Sequence, residues 1–301
     1  MDKNDMMDRI RELKKDRNAV ILVHNYQIGE VQDAGDFIGD SLELSRKAAR
    51  VKEDVIVFCG VHFMAETAAI LAPGKTVLIP DSSAGCPMAD MITAEDMVQW
   101  KKRYPGRKSV CYINTSAAVK AECDICCTSS NAEKVVDGLE GEEILFAPDK
   151  NLAAWVARTS SKKIIPWDGY CYVHNNIRAA DVRRKKEEHP EAEVWVHPEC
   201  PPEVIDLADR VLSTGKMVKE ARVTDRSVII GTESGIVYRL KKENPGKIFY
   251  PVKNTAVCRN MKKITLEKVF LSLEKMQFHV TVPPLIAERA RGAITRMVDL
   301  V

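Results

Sequence analysis

Short runs of β-branched and aliphatic residues punctuate the chain at 19–23, 55–58, 76–79, 109–113, 143–146, 163–165, 193–196, 227–230 and 247–250. Between them apolar residues recur at helical spacing, so the pattern predicts strands alternating with helices and parallel sheets covered on both faces. The expected fold class is α/β. The longest apolar stretch, Val55 to Ala72, approaches the length of a bilayer span but contains His62 and Glu66. It reads as a buried strand, VIVFCG, followed by a helix, MAETAAILA, and no membrane partner is expected.

The nine strands fall into three sets. The first, fourth and seventh are separated by about 85 to 90 residues, as are the second, fifth and eighth and the third, sixth and ninth, so one unit is written three times. Lys14-Lys15, Lys101-Lys102 and Lys185-Lys186 precede the first strand of each unit, and Pro105 and Pro190 occupy matching places. Basic pairs there suit helix C-termini better than a nucleic-acid surface. The units are expected at 1–100, 101–184 and 185–262, with 263–301 forming C-terminal helices that pack back on the first unit.

Each first strand ends in residues that carry chemistry: His24 and Tyr26 in VHNY, Tyr112 and Asn114 in CYIN, His197 and Glu199 in VHPE. Ligands of parallel sheets gather beyond the carboxyl ends of the strands, which makes these residues candidates for substrate contact. Seventeen residues after His24, Tyr112 and His197 come Ser41, Ser129 and Thr214. Each is expected at a helix start; Asp40 with Glu43 and Ser130 with Glu133 have capping-box spacing. Three such helix N-termini could converge on an anion.

The third strands lead to IPDSSAGC, IPWDGYC and YPVKNTAVC, placing Cys86, Cys171 and Cys258 at spacings of 85 and 87. One thiol per repeat invites a threefold arrangement around a common centre. Three thiolates with His174 would suit a closed zinc site, whereas an iron-sulfur cluster on three cysteines would keep one iron open as a Lewis acid. The other six of the nine cysteines lack this regularity. Cys123, Cys126 and Cys127 form C-x-x-C-C without a second pair, Cys59 and Cys111 fall in core strands, and Cys200 has no evident role. The start, MDKNDMMDRIRELKK, lacks a secretory core, so a reducing cytoplasmic setting is expected. Forty-five basic against 43 acidic residues leave a net charge of +2 and argue against a dedicated nucleic-acid surface. Dinucleotide, P-loop and radical-enzyme CxxxCxxC motifs are absent, and Glu233 in GTESG could face the site or cap the following helix.

The motifs VHNYQ, GDSLEL, PDSSAGC, YINTSA, CTSSNA, WDGYCYVH, VHPEC, STG, GTESG and VCRNMK, in this order over nearly the whole chain, resemble quinolinate synthase of de novo NAD biosynthesis. The resemblance implies three pseudo-threefold-related, three-layer α/β/α domains around a 4Fe-4S cluster held by Cys86, Cys171 and Cys258, with one open iron. It implies condensation of iminoaspartate with dihydroxyacetone phosphate, losing phosphate and two waters. An aspartate oxidase or dehydrogenase would supply the iminoaspartate. His24, Ser41, Tyr112, Ile113, Asn114, Ser129, His197, Pro198, Glu199 and Thr214 would bind substrate. Glu199 would be the general base, its carboxyl tuned toward neutral pH, with Tyr112, Tyr26 and His197 assisting. Two other readings stand beside it: the radical iron-sulfur enzyme of diphthamide synthesis, and a non-catalytic iron-sulfur or zinc sensor. The His24, Tyr112-Asn114 and His197-x-Glu199 set fits a small polyanion better than either.

Overall fold

The computed structural model describes residues 2–300; residues 1 and 301, the outer ends of the first and last expected segments, lie outside the described residues. The first unit holds strands β1 (Ala19–His24), β2 (Phe37–Gly39), β3 (Val55–Cys59) and β4 (Thr76–Leu78). The second holds β5 (Lys108–Tyr112), β6 (Ile125–Cys127), β7 (Glu143–Ala147) and β8 (Lys163–Pro166). The third holds β9 (Glu193–Val196), β10 (Arg210–Val211), β11 (Val228–Gly231) and β12 (Phe249–Pro251). All three sheets are parallel, with orders β2-β1-β3-β4, β6-β5-β7-β8 and β10-β9-β11-β12. The threefold α/β/α architecture is thus present, one sheet per repeat.

Each sheet has four strands rather than the three that the sequence pattern predicts. The additional ones, β2, β6 and β10, are edge strands of two or three residues, too short to display a period of their own. They matter because they deliver Ser41, Ser129 and Thr214. Chain order reverses at the first strand of every sheet: its neighbours on either side are the next strand and the one after. The carboxyl ends of β1, β5 and β9 are therefore topological switch points, where a crevice opens between diverging connections.

Strands buried on both faces read as continuous apolar runs. In the third unit Val194, Val196 and Ile229 face one apolar cluster, while Trp195, Val228, Ile230 and Phe249 face another. The first two units and the C-terminal helices share a single continuous core. Lys14-Lys15, Lys101-Lys102 and Lys185-Lys186 fall in the last turns of helices Lys3–Asp16, Ala94–Arg103 and Ala179–Glu188. Val55 to Ala72 folds as β3 and the helix His62–Leu71. The helix Leu266–Lys275 packs on Lys3–Asp16, and Pro284–Asp299 packs chiefly on the second unit's helix Ala117–Ala121 and β6. Among the described residues no helix is long and apolar enough to cross a membrane.

The first and third units meet through their helix starts. Asp40 caps the helix Ser41–Ala48, accepting Leu42 N–H at 3.0 Å and Glu43 N–H at 2.9 Å, and Glu43 completes the capping box. A Cβ built on Gly215, in the helix Thr214–Val223, would lie 2.4 Å from Asp40 Oδ2. Only glycine lets the two helices approach this closely. The expected capping box of Ser130 with Glu133 is not formed: the helix starts later, at Ala132, and Asn131 turns its Oδ1 back to Thr128 N–H at 2.7 Å.

Candidate active site

The three switch points open into one cavity with about 730 Å³ of empty space, part of it open to solvent. His24, Tyr112 and His197 enter it from β1, β5 and β9, and the turns that follow add Tyr26, Asn114 and Glu199. Ser41, Ser129 and Thr214 enter from the residues after the three edge strands. Cys86, Cys171 and Cys258 enter from the loops after β4, β8 and β12. Two residues of the expected set line other surroundings. Ile113 is buried, with its N–H bound to Cys127 O at 2.8 Å, and Pro198 lines a smaller adjacent cavity beside Ser129.

Two strand-end histidines are held alike. His24 Nδ1 accepts Tyr26 N–H at 3.2 Å, and His197 Nδ1 accepts Glu199 N–H at 3.3 Å. A ring nitrogen that accepts a backbone N–H carries no proton, so both rings are Nε2–H tautomers. His197 Nε2–H donates to Ser129 Oγ at 3.1 Å, leaving that hydroxyl's own hydrogen for a ligand. Burial lowers the pKa of both rings to about 3, so they work as neutral donors.

A chain of contacts crosses the cavity through all three units. Tyr112 OH donates to Glu199 Oε1. Glu199 Oε2 lies 2.8 Å from His174 Nδ1, His174 Nε2 lies 2.8 Å from Thr232 Oγ1, and Thr232 Oγ1 lies 2.6 Å from Tyr26 OH. Burial, reinforced by the charge on Glu199, raises both phenols well above their ordinary value of 10.0. For Glu199 burial acts toward a higher pKa but is outweighed by His174, His197 and the Tyr112 hydrogen bond, which hold the carboxyl below the ordinary carboxylate range. Glu199 therefore rests as an anion.

The expected cofactor requires a correction. All three repeat cysteines line the cavity, but the group whose ligand atoms lie within 4.8 Å of one another is Cys171, His174 and Glu199, with a single cysteine. Each repeat sulfur instead faces amides of its own following turn: Met88 and Ala89 for Cys86, His174 for Cys171, Asn260 and Met261 for Cys258. Burial dominates those amides, pushing Cys86 up to about 12 and also raising Cys171 and Cys258. A three-cysteine cluster site is thus not the ligand set assembled by this geometry. The Cys171, His174 and Glu199 group is a candidate metal site. His174 Nδ1 approaches Glu199 without completing a hydrogen bond, the unsatisfied buried atom that a metal would use. A sulfur, a nitrogen and an oxygen together suit a first-row transition metal rather than magnesium or calcium.

Sequence reasoning missed Asp149 and Thr232 among the supports of this site and left Glu233 between two roles. Asp149 Oδ2 accepts Cys171 N–H at 3.0 Å, and Glu233 Oε1 accepts Cys258 N–H at 3.0 Å, so carboxylates two residues beyond β7 and β11 hold the cysteine loops. Their matching places in FAPDK and IIGTESG were the available signal. Glu233 is fully buried and pairs with Lys262 at 2.9 Å; it both lines the cavity and accepts Gly235 N–H at the next helix start. Thr232, the bridge between Tyr26 and His174, carries no motif of its own. Cys123, Cys126 and Cys127 are buried around β6, away from the cavity lining.

Fold and site together define a protein in which three α/β units each give a strand end to one pocket lined by hydroxyl, imidazole, phenol, thiol and carboxyl groups. The family described as quinolinate synthetase A protein matches residues 8–299. The chain is 58% identical over 293 residues to the quinolinate synthase of Dehalococcoides mccartyi, covering 97% of each. It is 54% identical to that of Thermodesulfovibrio yellowstonii over 300 residues, covering 99% of each, and 54% identical to that of Methanoregula boonei over 296 residues, covering 98% of each. The chain belongs to the quinolinate synthase family, and its chemistry is of the condensing, dehydrating kind.

Proposed function

We propose that the pocket condenses iminoaspartate with dihydroxyacetone phosphate, giving quinolinate, phosphate and two waters. The observation that carries this reading is the pooling of neutral donors from all three units in one cavity, beside the carboxylates of Asp40, Glu199 and Glu233. Ser41, Ser129, Thr214, Asn114 and the Nε2–H groups of His24 and His197 would receive the two carboxylates and the phosphate. Hydrogen bonds to such anions are charge-assisted and about twice as strong as neutral ones. The enamine carbon of iminoaspartate bonds to C1 of the triose as phosphate leaves, the triose carbonyl shifts from C2 to C3, and the amine closes on C3 with loss of one water; loss of the C2 hydroxyl as the second water completes the six-membered aromatic ring.

Glu199 would accept carbon-bound protons, with Tyr112 returning protons to departing hydroxyls across their shared hydrogen bond. Tyr26 closes the opposite wall, and Thr232 and His174 link it to the same carboxylate. Cys171, His174 and Glu199 would hold a metal, which when bound supplies a Lewis acid beside these groups. Nine free thiols support a reducing cytoplasmic setting, with iminoaspartate supplied by an aspartate-oxidising enzyme. Substrate omission tests the reading. Purified protein should form quinolinate only when both substrates are present; formation from either alone, or from neither pair member, contradicts it.

A further inference from the structure

Thr214 sits in the cavity at the first position of the helix Thr214–Val223, but its hydroxyl is governed by the first unit. Asn25, fully buried between His24 and Tyr26, reaches across and places Nδ2 3.0 Å from Thr214 Oγ1. Arg239 Nη1 donates to Asn25 Oδ1 at 2.6 Å and to Ile38 O at 3.0 Å, while its Nε is held by Glu243 Oε1 at 2.6 Å. The Asn25 backbone is fixed as well, its N–H bound to Gly39 O at 3.1 Å.

A guanidinium can only donate, so the Asn25 atom facing Arg239 is the carbonyl oxygen and the atom facing Thr214 is the amide nitrogen. That nitrogen can only donate in turn. Thr214 Oγ1 is therefore occupied as an acceptor, and its own hydrogen points away from Asn25. We infer that Asn25, locked by Arg239, is a positioning residue that sets the polarity of Thr214, making it an obligatory donor toward an anionic oxygen of the substrate. His197 imposes the same polarity on Ser129 at 3.1 Å, so two of the three repeat hydroxyls are oriented by a donor from another unit. The inference rests on the proposal that Thr214 meets a substrate anion; it adds which residue orients the hydroxyl and in which sense.

Asn25→Asp tests this, because a carboxylate keeps the shape and the Arg239 contact but accepts from Thr214, turning the hydroxyl hydrogen away from the cavity. Binding of malate and of inorganic phosphate is measured by calorimetry, and KM and kcat for both substrates by turnover. Thr214→Val should weaken one of the two probes by about tenfold or more and raise the corresponding KM by a similar factor. Asn25→Asp should weaken the same probe to a similar degree, with a smaller change in kcat. The double variant should bind no more weakly than Thr214→Val alone, whereas simple charge repulsion by the new carboxylate would add to it. Asn25→Ala, which introduces no charge, should give a smaller loss on the same probe and guards against a folding defect in the aspartate variant. An additive double variant, or Asn25→Asp and Asn25→Ala that both bind like wild type while Thr214→Val does not, overturns the inference. A Thr214→Val protein that binds both probes normally overturns instead the assignment of Thr214 to a substrate anion.

Discussion

Tyr112 donates its phenolic hydrogen to Glu199 Oε1, joining the strand end of the second unit to that of the third. The phenol is held well above its ordinary pKa by burial and by the charge on Glu199, while the carboxyl stays below the ordinary carboxylate range despite its burial. The resting proton therefore lies on Tyr112, and Glu199 is an anion that cannot move without leaving a buried charge unpaired.

Removing either partner should stop proton transfer while leaving substrate binding largely intact. Glu199→Gln and Tyr112→Phe should each lower kcat by roughly 10²- to 10⁴-fold, the usual contribution of a positioned acid or base. Steady-state kinetics of the double variant should show no further multiplicative loss, since the two act as one unit. Independent, multiplying losses would contradict their coupling.

The hydroxyls proposed to bind substrate anions and the helix caps are different residues, which separates affinity from stability. Ser41 follows its cap Asp40, and Thr214 follows its cap Ser213, which accepts Lys216 N–H at 3.3 Å. Ser41→Ala should raise KM about tenfold, the value of one hydrogen bond to a charged group, with little change in melting temperature. Ser213→Ala should instead cost about 1 kcal/mol of stability through the lost cap. Paired melting and kinetic measurements on these two variants check both directions.

His24 makes the fold acid-sensitive. Its pKa is about 3 in the folded protein, lowered by burial and by Lys262, against 6.5 for an exposed imidazole. Between those values the unfolded chain binds the extra proton, so stability from this residue is full above pH 6.5 and is lost as pH falls toward 3. Melting temperatures measured from pH 7 down to pH 5 should fall more steeply for wild type than for His24→Gln. Parallel curves would show that His24 contributes nothing to this slope.

The metal group also gives a direct test. Cys171→Ala removes the sulfur from the one set of three ligand atoms within 4.8 Å among the described residues, so metal retained after anaerobic purification, measured by elemental analysis, should drop to near zero. Undiminished metal content would remove Cys171 from the site.

Much of this site could be read from sequence because repetition marks it. His24, Tyr112 and His197 share a strand end and Ser41, Ser129 and Thr214 a fixed distance from it, so even unremarkable residue types became visible in threes. The edge strands β2, β6 and β10 were hidden by their brevity; in β6 the residues of the C-x-x-C-C run read as a possible motif when Cys126 and Cys127 are buried strand residues. Thr232 and Asn25 act through long-range contacts, and such pairings leave no period in a sequence; His174, considered there beside three thiolates, meets Glu199 and Thr232. The ligand geometry was equally hidden. Regular cysteine spacing puts Cys86, Cys171 and Cys258 around one cavity, but it does not fix the distances between sulfurs, and the close set proved to contain His174 and Glu199 instead.

One pocket is expected both to join the two substrates and to expel the phosphate. The most direct measurement is simultaneous quantification of quinolinate and inorganic phosphate from iminoaspartate and dihydroxyacetone phosphate, for wild type and for Glu199→Gln. Wild type should form the two products in equal amounts and Glu199→Gln should form almost no quinolinate. Phosphate release without quinolinate from wild type, or unchanged quinolinate formation by Glu199→Gln, would contradict the account.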